Sequence, residues 1–296
     1  MAFAPGKVIL LGEHAVVYGH PALAGALSHG VTVENHESGK NTSGKLSIPE
    51  WALTVTPNDD SPVGKAFAAI AARLGVSPDR ELVVRFGLPT SAGLGSSAAL
   101  SVALARALAP TAAEDAILDA AMAAETIFHG KPSGIDAAIS ARGGLGRFTR
   151  AGGLVAIPAA RRVPLVVGHT GQQRDTRGRV ARVAELVTER EGEMRERFAA
   201  IANLVERGVR AIAEGNLGEL GACMDENARH LAAMEVGTQT IERMCGLARE
   251  AGAVGCKLTG GGGGGCVIAL APGREDAVRA VWTSAGFHNF STEVGA

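Results

Sequence analysis

Short apolar runs and longer segments of helical period alternate along this chain. Residues 7–11 (KVILL) form an apolar run that predicts a buried strand, and the polar tripeptide Gly-Glu-His at residues 12–14 stands directly at its end. Residues 81–86 (ELVVRF) predict a second strand, followed by a glycine-rich loop and an apolar helix at residues 98–109. Polar groups at the end of a buried strand need a reason, so the tripeptide is a candidate site.

Capping and turn residues predict where several segments begin and end. Thr111, with Glu114 three residues later, has the sequence of a capping box, which predicts a helix from that point to His129. Residues 37–62 are rich in Ser, Thr, Asn, Pro and Gly and predict a loosely connected hairpin. The charged segment 176–215 predicts two helices, because one unbroken helix of that length is unusual in a compact domain.

The rest of the chain continues the alternation of strands and helices. Further helices are predicted at residues 65–74, 217–234, 238–251 and 275–285, and further strands at residues 146–149, 163–169, 256–259, 266–271 and 287–294. This pattern is typical of an α+β or α/β protein in two lobes, and we expect domains at residues 1–160 and 161–296.

Composition and charge exclude several classes of protein. The 296 residues carry a net charge of −1 and only 4% aromatic residues, whereas nucleic-acid binders usually show a basic excess or interleaved aromatics. No apolar run reaches the roughly 18 residues of a membrane span, and the N-terminus lacks the apolar segment of a secretory signal. The four cysteines follow neither a metal-binding nor a disulfide spacing. We therefore expect a cytoplasmic protein that acts on small molecules and binds neither nucleic acid nor membrane.

The loop after the strand at residues 81–86 has the properties of a phosphate cradle. Its glycines let the backbone approach an anion, and the following helix directs its positive end to the same point. A tight strand-to-helix turn that binds nothing is the alternative. The two serines at the helix start serve either as N-caps or as hydroxyl ligands of Mg²⁺. The residues of this candidate ATP-binding loop are Ala92, Gly93, Leu94, Gly95, Ser96 and Ser97.

Two familiar phosphate motifs do not describe this loop. No glycine in the chain is followed by Lys and then Ser or Thr in the P-loop frame. Gly93-x-Gly95-x-x-Ala98 fits the loose dinucleotide fingerprint, but Asp115, near the expected place of the acidic partner, falls inside a predicted helix. We therefore discount both a P-loop and a Rossmann site.

Four further features carry candidate chemistry. Glu125 lies in the last turns of a predicted helix, where the helix dipole disfavours a carboxylate, so a compensating cation is expected. Asp136 follows a Gly-Lys-Pro-Ser-Gly turn and is interpreted equally well as a helix N-cap and as a catalytic group. Six consecutive glycines at residues 260–265 cost backbone entropy, which favours a loop that folds against a ligand. Lysine is scarce, six against 23 arginines, so Lys7 and Lys257 beside these segments suggest a need for a compact charge.

Four segments of the chain resemble the GHMP family of small-molecule kinases. They are APGKVILLGEHAVVYG at residues 4–19, PTSAGLGSSAAL at 89–100, HGKPSGIDAAIS at 129–140 and KLTGGGGGGCVIAL at 257–270. They occur in the family's order over nearly the whole chain. The first segment, in which AVVYG follows GEH, is similar to the members that phosphorylate mevalonate.

The resemblance implies a fold and an activity. The implied fold is α+β and two-lobed, with a ribosomal-S5-like N-terminal lobe and a ferredoxin-like C-terminal lobe that bind ATP and mevalonate between them. The implied activity is ATP- and Mg²⁺-dependent phosphorylation of the primary hydroxyl of mevalonate to 5-phosphomevalonate, a step in isoprenoid precursor synthesis. The family's habit also implies a homodimer.

By position in the matching segments, the resemblance gives each site residue a role. Asp136 is the catalytic base, and Lys7 pairs with it. Ser97 and Glu125 hold Mg²⁺, while residues 93–97 cradle the ATP phosphates. The glycine-rich loop near the active site contains Gly260, Gly261 and Gly262, and the groups on the substrate side are Glu13, His14 and Thr176. Arg147 either meets the substrate carboxylate bidentately or is an ordinary exposed strand residue.

The chain departs from the family's pattern in three places, and other functions remain alternatives. Ser91 stands where the phosphate loop often has Gly, the spacing from Ser97 to Glu125 is short, and residues 37–62 are trimmed, so no adenine contacts are assigned. The alternatives are a family kinase for phosphomevalonate or homoserine, a regulatory protein on the same fold and a dinucleotide-dependent oxidoreductase. Lys7, Ser97, Glu125 and Asp136 together favour a working kinase.

Overall fold

The structure is a computed structural model that describes residues 1–36, 44–90 and 92–295. The strands are β1 Ala2–Leu11, β2 Ala22–His36, β3 Lys45–Ile48, β4 Leu53–Val55, β5 Glu81–Phe86, β6 Leu145–Thr149, β7 Gly153–Ala156, β8 Val163–His169, β9 Gly255–Leu258, β10 Cys266–Leu270 and β11 Asn289–Val294. The helices are α1 Pro62–Leu74, α2 Ser96–Leu108, α3 Glu114–His129, α4 Ile135–Arg142, α5 Thr176–Glu189, α6 Glu191–Glu214, α7 Leu217–Ala233, α8 Gln239–Glu250 and α9 Glu275–Ser284. The protein is α+β, as the resemblance implied, whereas the sequence pattern alone left α/β open as well.

The chain forms two compact units. Unit 1 contains residues 1–7, 29–90 and 95–143, and unit 2 contains residues 8–28, 91–94 and 144–296. Strands β1 and β2 contribute residues to both units. The predicted domains at residues 1–160 and 161–296 stay a prediction.

Unit 1 combines a small sheet with four packed helices. Strand β5 pairs in parallel with β3 and antiparallel with the second half of β2, and β3 forms a hairpin with β4. Helix α2 packs against α1, α3 and α4, and most of its side chains are buried, which explains its apolar sequence. At the surface of this unit, the ring of Trp51 stacks on Phe86 with 4.9 Å between centroids, and Trp51 is 42% exposed.

Unit 2 contains a four-stranded antiparallel sheet in the order β11-β8-β10-β9. In the same unit the first half of β2 pairs with β6, which pairs with β7. Trp282 of α9 is fully buried against this sheet, and its Nε1 donates a hydrogen bond to the carbonyl of Met244 at 2.9 Å. A Cβ on Gly168 of β8 would lie 2.6 Å from the Trp282 ring, so the strand needs glycine to accommodate the indole.

Helix α7 approaches β9 at the distance of touching backbones. A Cβ on Gly221 of α7 would lie 2.3 Å from the carbonyl oxygen of Val254, and one on Gly255 of β9 would lie 2.5 Å from the carbonyl oxygen of Gly221. Only glycine at both positions permits this packing. This close contact fixes the position of α7 relative to the start of β9.

Most predicted elements are confirmed, and several details are corrected. The strand predicted at residues 81–86 is β5, and the segment 176–215 forms two helices that break at Arg190. The capping box at Thr111 and Glu114 is wrong: α3 has Ala113 as its N-cap, without a side-chain cap, because a turn from Ala109 to Ala112 precedes it. Strands β2 and β7 were not predicted. Part of the predicted 37–62 hairpin falls on residues 37–43, outside the described residues, and β3 and β4 form the rest.

None of the described helices is long and apolar enough to cross a membrane.

Candidate active site

In unit 1, Lys7 of β1 and Asp136 of α4 form an ion pair. Lys7 Nζ lies 3.1 Å from Asp136 Oδ1, and the side chains are 4% and 35% exposed. Asp136 is in the first turn of α4, where the helix dipole favours a carboxylate, but the N-cap of that helix is Gly134. The interpretation of Asp136 as a simple N-cap is therefore wrong. The pair combines a reachable carboxylate with a cation that is held inside the protein.

Ser97, Glu125 and His129 form a second group in unit 1. Ser97 Oγ donates a hydrogen bond to Glu125 Oε2 at 3.4 Å and lies 3.0 Å from Nε2 of His129. The side chain of Glu125 is 3% exposed, and its Oε1 has no hydrogen-bond partner among the described residues. Burial, followed by the nearby charge of Asp136, raises the pKa of Glu125 to about 7.

This second group fits the Mg²⁺ ion that the family resemblance implies. An unpartnered buried carboxylate oxygen beside a hydroxyl is a pair of hard oxygen donors, which Mg²⁺ prefers. The described part of the chain holds no cluster of three or more His, Cys, Asp or Glu side chains suited to a metal. Two protein oxygens are nevertheless enough, because Mg²⁺ usually keeps water and substrate phosphate oxygens as its remaining ligands.

The loop from Ala92 to Ser97 has the backbone conformation of a tight strand-to-helix connection. Gly93 and Gly95 have φ values of 94° and 71°, which favour glycine. Gly95 is the N-cap of α2, so the expectation that Ser96 or Ser97 caps the helix is wrong. A Cβ on Gly95 would lie 2.9 Å from Cγ of Lys7, so the absence of a side chain lets the loop lie against the lysine stem. Ala92 and Leu94 are buried and anchor the loop.

In unit 2, Glu13 is buried in a network of hydrogen bonds. Its Oε1 accepts a hydrogen bond from Lys257 Nζ, and its Oε2 accepts one from Asn227 Nδ2 at 3.2 Å. The side chains of Lys257 and Glu13 are 0% and 1% exposed. Burial lowers the pKa of Lys257, against the opposing effect of Glu13. Glu13 is therefore directed towards protein donors rather than towards solvent.

His14 follows Glu13 in a strained backbone conformation. Its φ of 60° and ψ of −49° are unusual for a residue with a side chain. His14 is 5% exposed, and its Nε2 lies 3.0 Å from the carbonyl oxygen of Gly261, which can only accept a hydrogen bond. Burial lowers the pKa of His14, so the ring is neutral at pH 7 and donates through Nε2.

The glycine run at residues 260–265 is packed against its neighbours. All but Gly261 have positive φ values, between 70° and 129°. A Cβ on Gly261 would lie 2.7 Å from Cγ2 of Thr176, and one on Gly262 would lie 2.2 Å from the carbonyl oxygen of Val236. Thr176 Oγ1 is buried without a hydrogen-bond partner among the described residues. The run therefore leaves one hydroxyl available beside Gly261.

Arg147, the remaining candidate, lies in β6 and forms an ion pair with α6. Its Nε donates a hydrogen bond to Glu206 Oε1 at 2.8 Å, and the two side chains are 35% and 43% exposed. Its contact with a substrate carboxylate stays a prediction.

Sequence reasoning missed three features of these clusters. His129 was assigned only to a helix end, although it lies i,i+4 from Glu125 on one helix face, a spacing that reveals such a contact. Asn227 carried no local signal, because an isolated Asn in a helix is unremarkable. Lys257 was singled out by the scarcity of lysine, but its partner Glu13 was not foreseen.

Comparisons with known proteins match this arrangement over almost the whole chain. The family model described as GHMP kinases N terminal domain matches residues 61–144, and that described as GHMP kinases C terminal matches residues 209–288. The mevalonate kinase of Aeropyrum pernix is 36% identical over 285 residues, covering 91% of this chain and 87% of the relative. That of Methanothermobacter thermautotrophicus is 35% identical, covering 94% of this chain and 92% of the relative.

Solved structures extend the similarity to three dimensions. The crystal structure of L. major mevalonate kinase in complex with R-mevalonate matches with a TM-score of 0.87 and 25% identity, covering 99% of this chain and 94% of that one. The Methanococcus jannaschii mevalonate kinase matches in fold with a TM-score of 0.86 at 24% identity, covering 98% of this chain and 96% of that one. Two family domains in the expected order and relatives above 30% identity over nine-tenths of the chain lead to one conclusion: this chain belongs to the GHMP kinase family.

Proposed function

We propose that this chain transfers the γ-phosphoryl group of ATP to the primary hydroxyl of mevalonate, with Mg²⁺, and releases 5-phosphomevalonate and ADP. The observation that carries the proposal is the contact of Lys7 Nζ with Asp136 Oδ1, because it joins a solvent-reachable carboxylate to a fixed cation. Mevalonate is the substrate best supported, since the relatives that match nearly the whole chain are mevalonate kinases.

In this proposal, Asp136 accepts the proton that the attacking hydroxyl loses. The Lys7 ammonium lies beside Asp136 and stabilises the negative charge that develops on the substrate oxygen. Phosphoryl transfer passes through a loose transition state, so positioning and charge stabilisation supply most of the catalysis. One carboxylate and one lysine are sufficient protein groups for the proton step.

The phosphates and the metal are held by the loop at residues 92–97 and by Glu125. We assign Ser97 and Glu125 as the metal ligands, since Glu125 Oε1 is buried without a partner among the described residues. Bound Mg²⁺ neutralises part of the charge on the phosphate oxygens during transfer. Backbone amides at the start of α2, with Gly93 and Gly95, receive the phosphates because a helix N-terminus attracts anions.

His14 and Thr176 are the groups that we assign to the mevalonate side. His14 carries a neutral imidazole fixed to Gly261, and Thr176 offers a hydroxyl with no partner in the described part of the chain. Glu13 acts indirectly on substrate binding, because it belongs to the backbone turn that positions His14. Nε of Arg147 donates to Glu206, so in this proposal its other N–H groups meet the substrate carboxylate.

The experiment that tests this function is ADP release measured with Mg·ATP and a panel of alcohols. The panel contains mevalonate, phosphomevalonate, homoserine and galactose, and product mass identifies the phosphorylated compound. We expect a kcat/KM for mevalonate at least about 10³-fold above the others, which corresponds to roughly 4 kcal/mol of transition-state discrimination. Preference for phosphomevalonate or homoserine would move the substrate assignment but keep the kinase. No ADP release with any alcohol would reject catalysis by this chain.

The cytoplasmic location, the homodimer and the boundary near residue 160 stay predictions. Size-exclusion chromatography with light scattering measures the oligomeric state of the purified chain directly.

A further inference from the structure

A buried ion pair in unit 2 joins the end of β1 to the strand that leads into the glycine run. Lys257 Nζ donates hydrogen bonds to Glu13 Oε1 and, at 2.7 Å, to the carbonyl oxygen of Leu258. Asn227 Nδ2 donates to the other oxygen of Glu13. A buried pair of this kind repays its desolvation only with good geometry, so stability alone is a weak reason for it.

The network surrounds a short backbone segment that is strained. Gly12 has a φ of 101° and His14 a φ of 60°. Non-glycine residues in such conformations are strained and persist only where their surroundings fix them. Asn227 Oδ1 accepts a hydrogen bond from the Gly12 amide at 3.4 Å, while the carbonyl of Glu13 accepts one from the Ala15 amide at 2.7 Å. The side chain of Asn227 thus bonds both the backbone amide of Gly12 and the carboxylate of Glu13.

Lys257 acts together with a residue two positions later. Thr259 continues the line of β9, and side chains at i and i+2 point to the same face of a strand. Thr259 Oγ1 accepts a hydrogen bond from the Ile9 amide at 2.9 Å and lies 3.2 Å from the Ile9 carbonyl oxygen. The segment 257–259 therefore holds β1 at Ile9 and again at Glu13, on both sides of the point where the strand ends.

We propose that Lys257 and Asn227 are positioning residues for His14: by fixing the Glu13 carboxylate they hold the strained turn that directs the imidazole to the Gly261 carbonyl. The alcohol substrate then depends on two residues that it does not touch. This inference rests on the proposed function, because it takes His14 to lie on the substrate side. It predicts a loss of alcohol binding without an equal loss of ATP binding.

The test compares three variants with the wild type. Lys257→Met removes the cation, Glu13→Gln with Lys257→Met removes both charges, and Asn227→Ala removes the amide but leaves the ion pair. The matched control is Glu193→Gln with Arg197→Met, which removes an exposed ion pair on α6. Circular dichroism and thermal melting report folding, and steady-state kinetics give kcat and the two KM values.

We expect each folded variant to raise the KM for mevalonate, by about 10-fold or more for the two charge variants, with the KM for ATP changed by less than about 2-fold. The double variant is no worse than Lys257→Met, because residues that act as a unit are not additive. The control pair behaves as wild type. A folded double variant with wild-type mevalonate kinetics, or one that loses ATP and mevalonate binding equally, overturns the proposal.

The inference is still tested if the substrate is a different alcohol or if a variant fails to fold. If the wild type phosphorylates a different alcohol of the panel, the KM comparison is made with that alcohol, and the expectation is the same. If Lys257→Met fails to fold because it leaves a buried carboxylate unpaired, the double variant decides, and if that also fails, Asn227→Ala decides. Wild-type kinetics in folded Asn227→Ala would remove Asn227 from the positioning network.

Discussion

Lys7 Nζ lies 3.1 Å from Asp136 Oδ1, and the lysine side chain is almost fully buried while that of the aspartate is about one-third exposed. The asymmetry matters, because a buried ammonium is weakly screened by solvent whereas an accessible carboxylate can be reached by a substrate. The pair thus combines a buried positive charge with a solvent-accessible carboxylate.

Asp136→Asn should lower kcat by at least about 10²-fold, because the amide cannot accept the proton of the hydroxyl. Its melting temperature should stay near that of the wild type. Asp119→Asn, at an exposed carboxylate of α3 that binds Arg73, is the control and should keep full activity. Turnover at the wild-type rate in Asp136→Asn would remove this residue from the mechanism.

Glu125→Gln should stabilise the metal-free protein at alkaline pH. The pKa of Glu125 rises from 4.5 to about 7 on folding, so the folded state binds the carboxyl proton more tightly than the unfolded chain does. This tighter proton binding adds to the free energy of unfolding at low pH, and the contribution is lost as the pH rises through 7. The variant, which carries no charge at any pH, should exceed the wild type by about 1 to 3 kcal/mol at pH 8, with a smaller difference at pH 5. Urea unfolding in EDTA measures both values. A gap that does not widen with pH would contradict the raised pKa.

Ser97→Ala should weaken the binding of Mg²⁺ and leave the fold intact. We expect the half-saturating Mg²⁺ concentration to rise at least about 10-fold, since even groups that only support a metal ligand commonly contribute 10- to 100-fold to affinity. Thr126→Ala removes a hydroxyl on α3, next to Glu125 in sequence, that donates to the carbonyl of Met122, and it serves as the matched control. An unchanged Mg²⁺ titration would exclude Ser97 as a ligand.

Gly262→Ala should destabilise the protein by about 2 kcal/mol or more, because it combines a φ of 77° with a Cβ only 2.2 Å from the carbonyl oxygen of Val236. Gly246→Ala is the opposite case. Gly246 lies within α8, its Cβ would meet nothing within 4 Å, and alanine there should stabilise by up to about 1 kcal/mol. Urea denaturation midpoints compare the two, and equal effects would show that the glycine run is not constrained.

The sequence predicted elements whose signal is local. The pattern ELVVRF predicts β5 because a short apolar run bounded by turn residues is sufficient to identify a strand. The capping box predicted at Thr111 is wrong, because a competing turn after α2 moves the start of α3 to Glu114. The match of residues to a motif does not decide which of two local hydrogen-bond patterns forms.

The candidate site divides in a similar way. The family resemblance brought Lys7 and Asp136 together, and the contact is present, although their chemical roles stay predictions. Glu13 and His14 were grouped as one polar cluster, but neighbours along the chain can face different surroundings. The hydrogen-bond partners of Glu13 are Lys257 of β9 and Asn227 of α7. Both are far from Glu13 in sequence, and no periodicity encodes such contacts.

The two tryptophans give this protein a natural pair of optical reporters. Trp282 is fully buried in unit 2, whereas Trp51 is 42% exposed in unit 1 and stacks on Phe86. Their emission spectra should therefore differ, with Trp282 emitting at shorter wavelength until its surroundings open. A Trp51→Phe variant leaves Trp282 to report on unit 2 alone, and a Trp282→Phe variant leaves Trp51 to report on unit 1. Unfolding followed with each variant then reveals whether the two units lose structure together or one after the other.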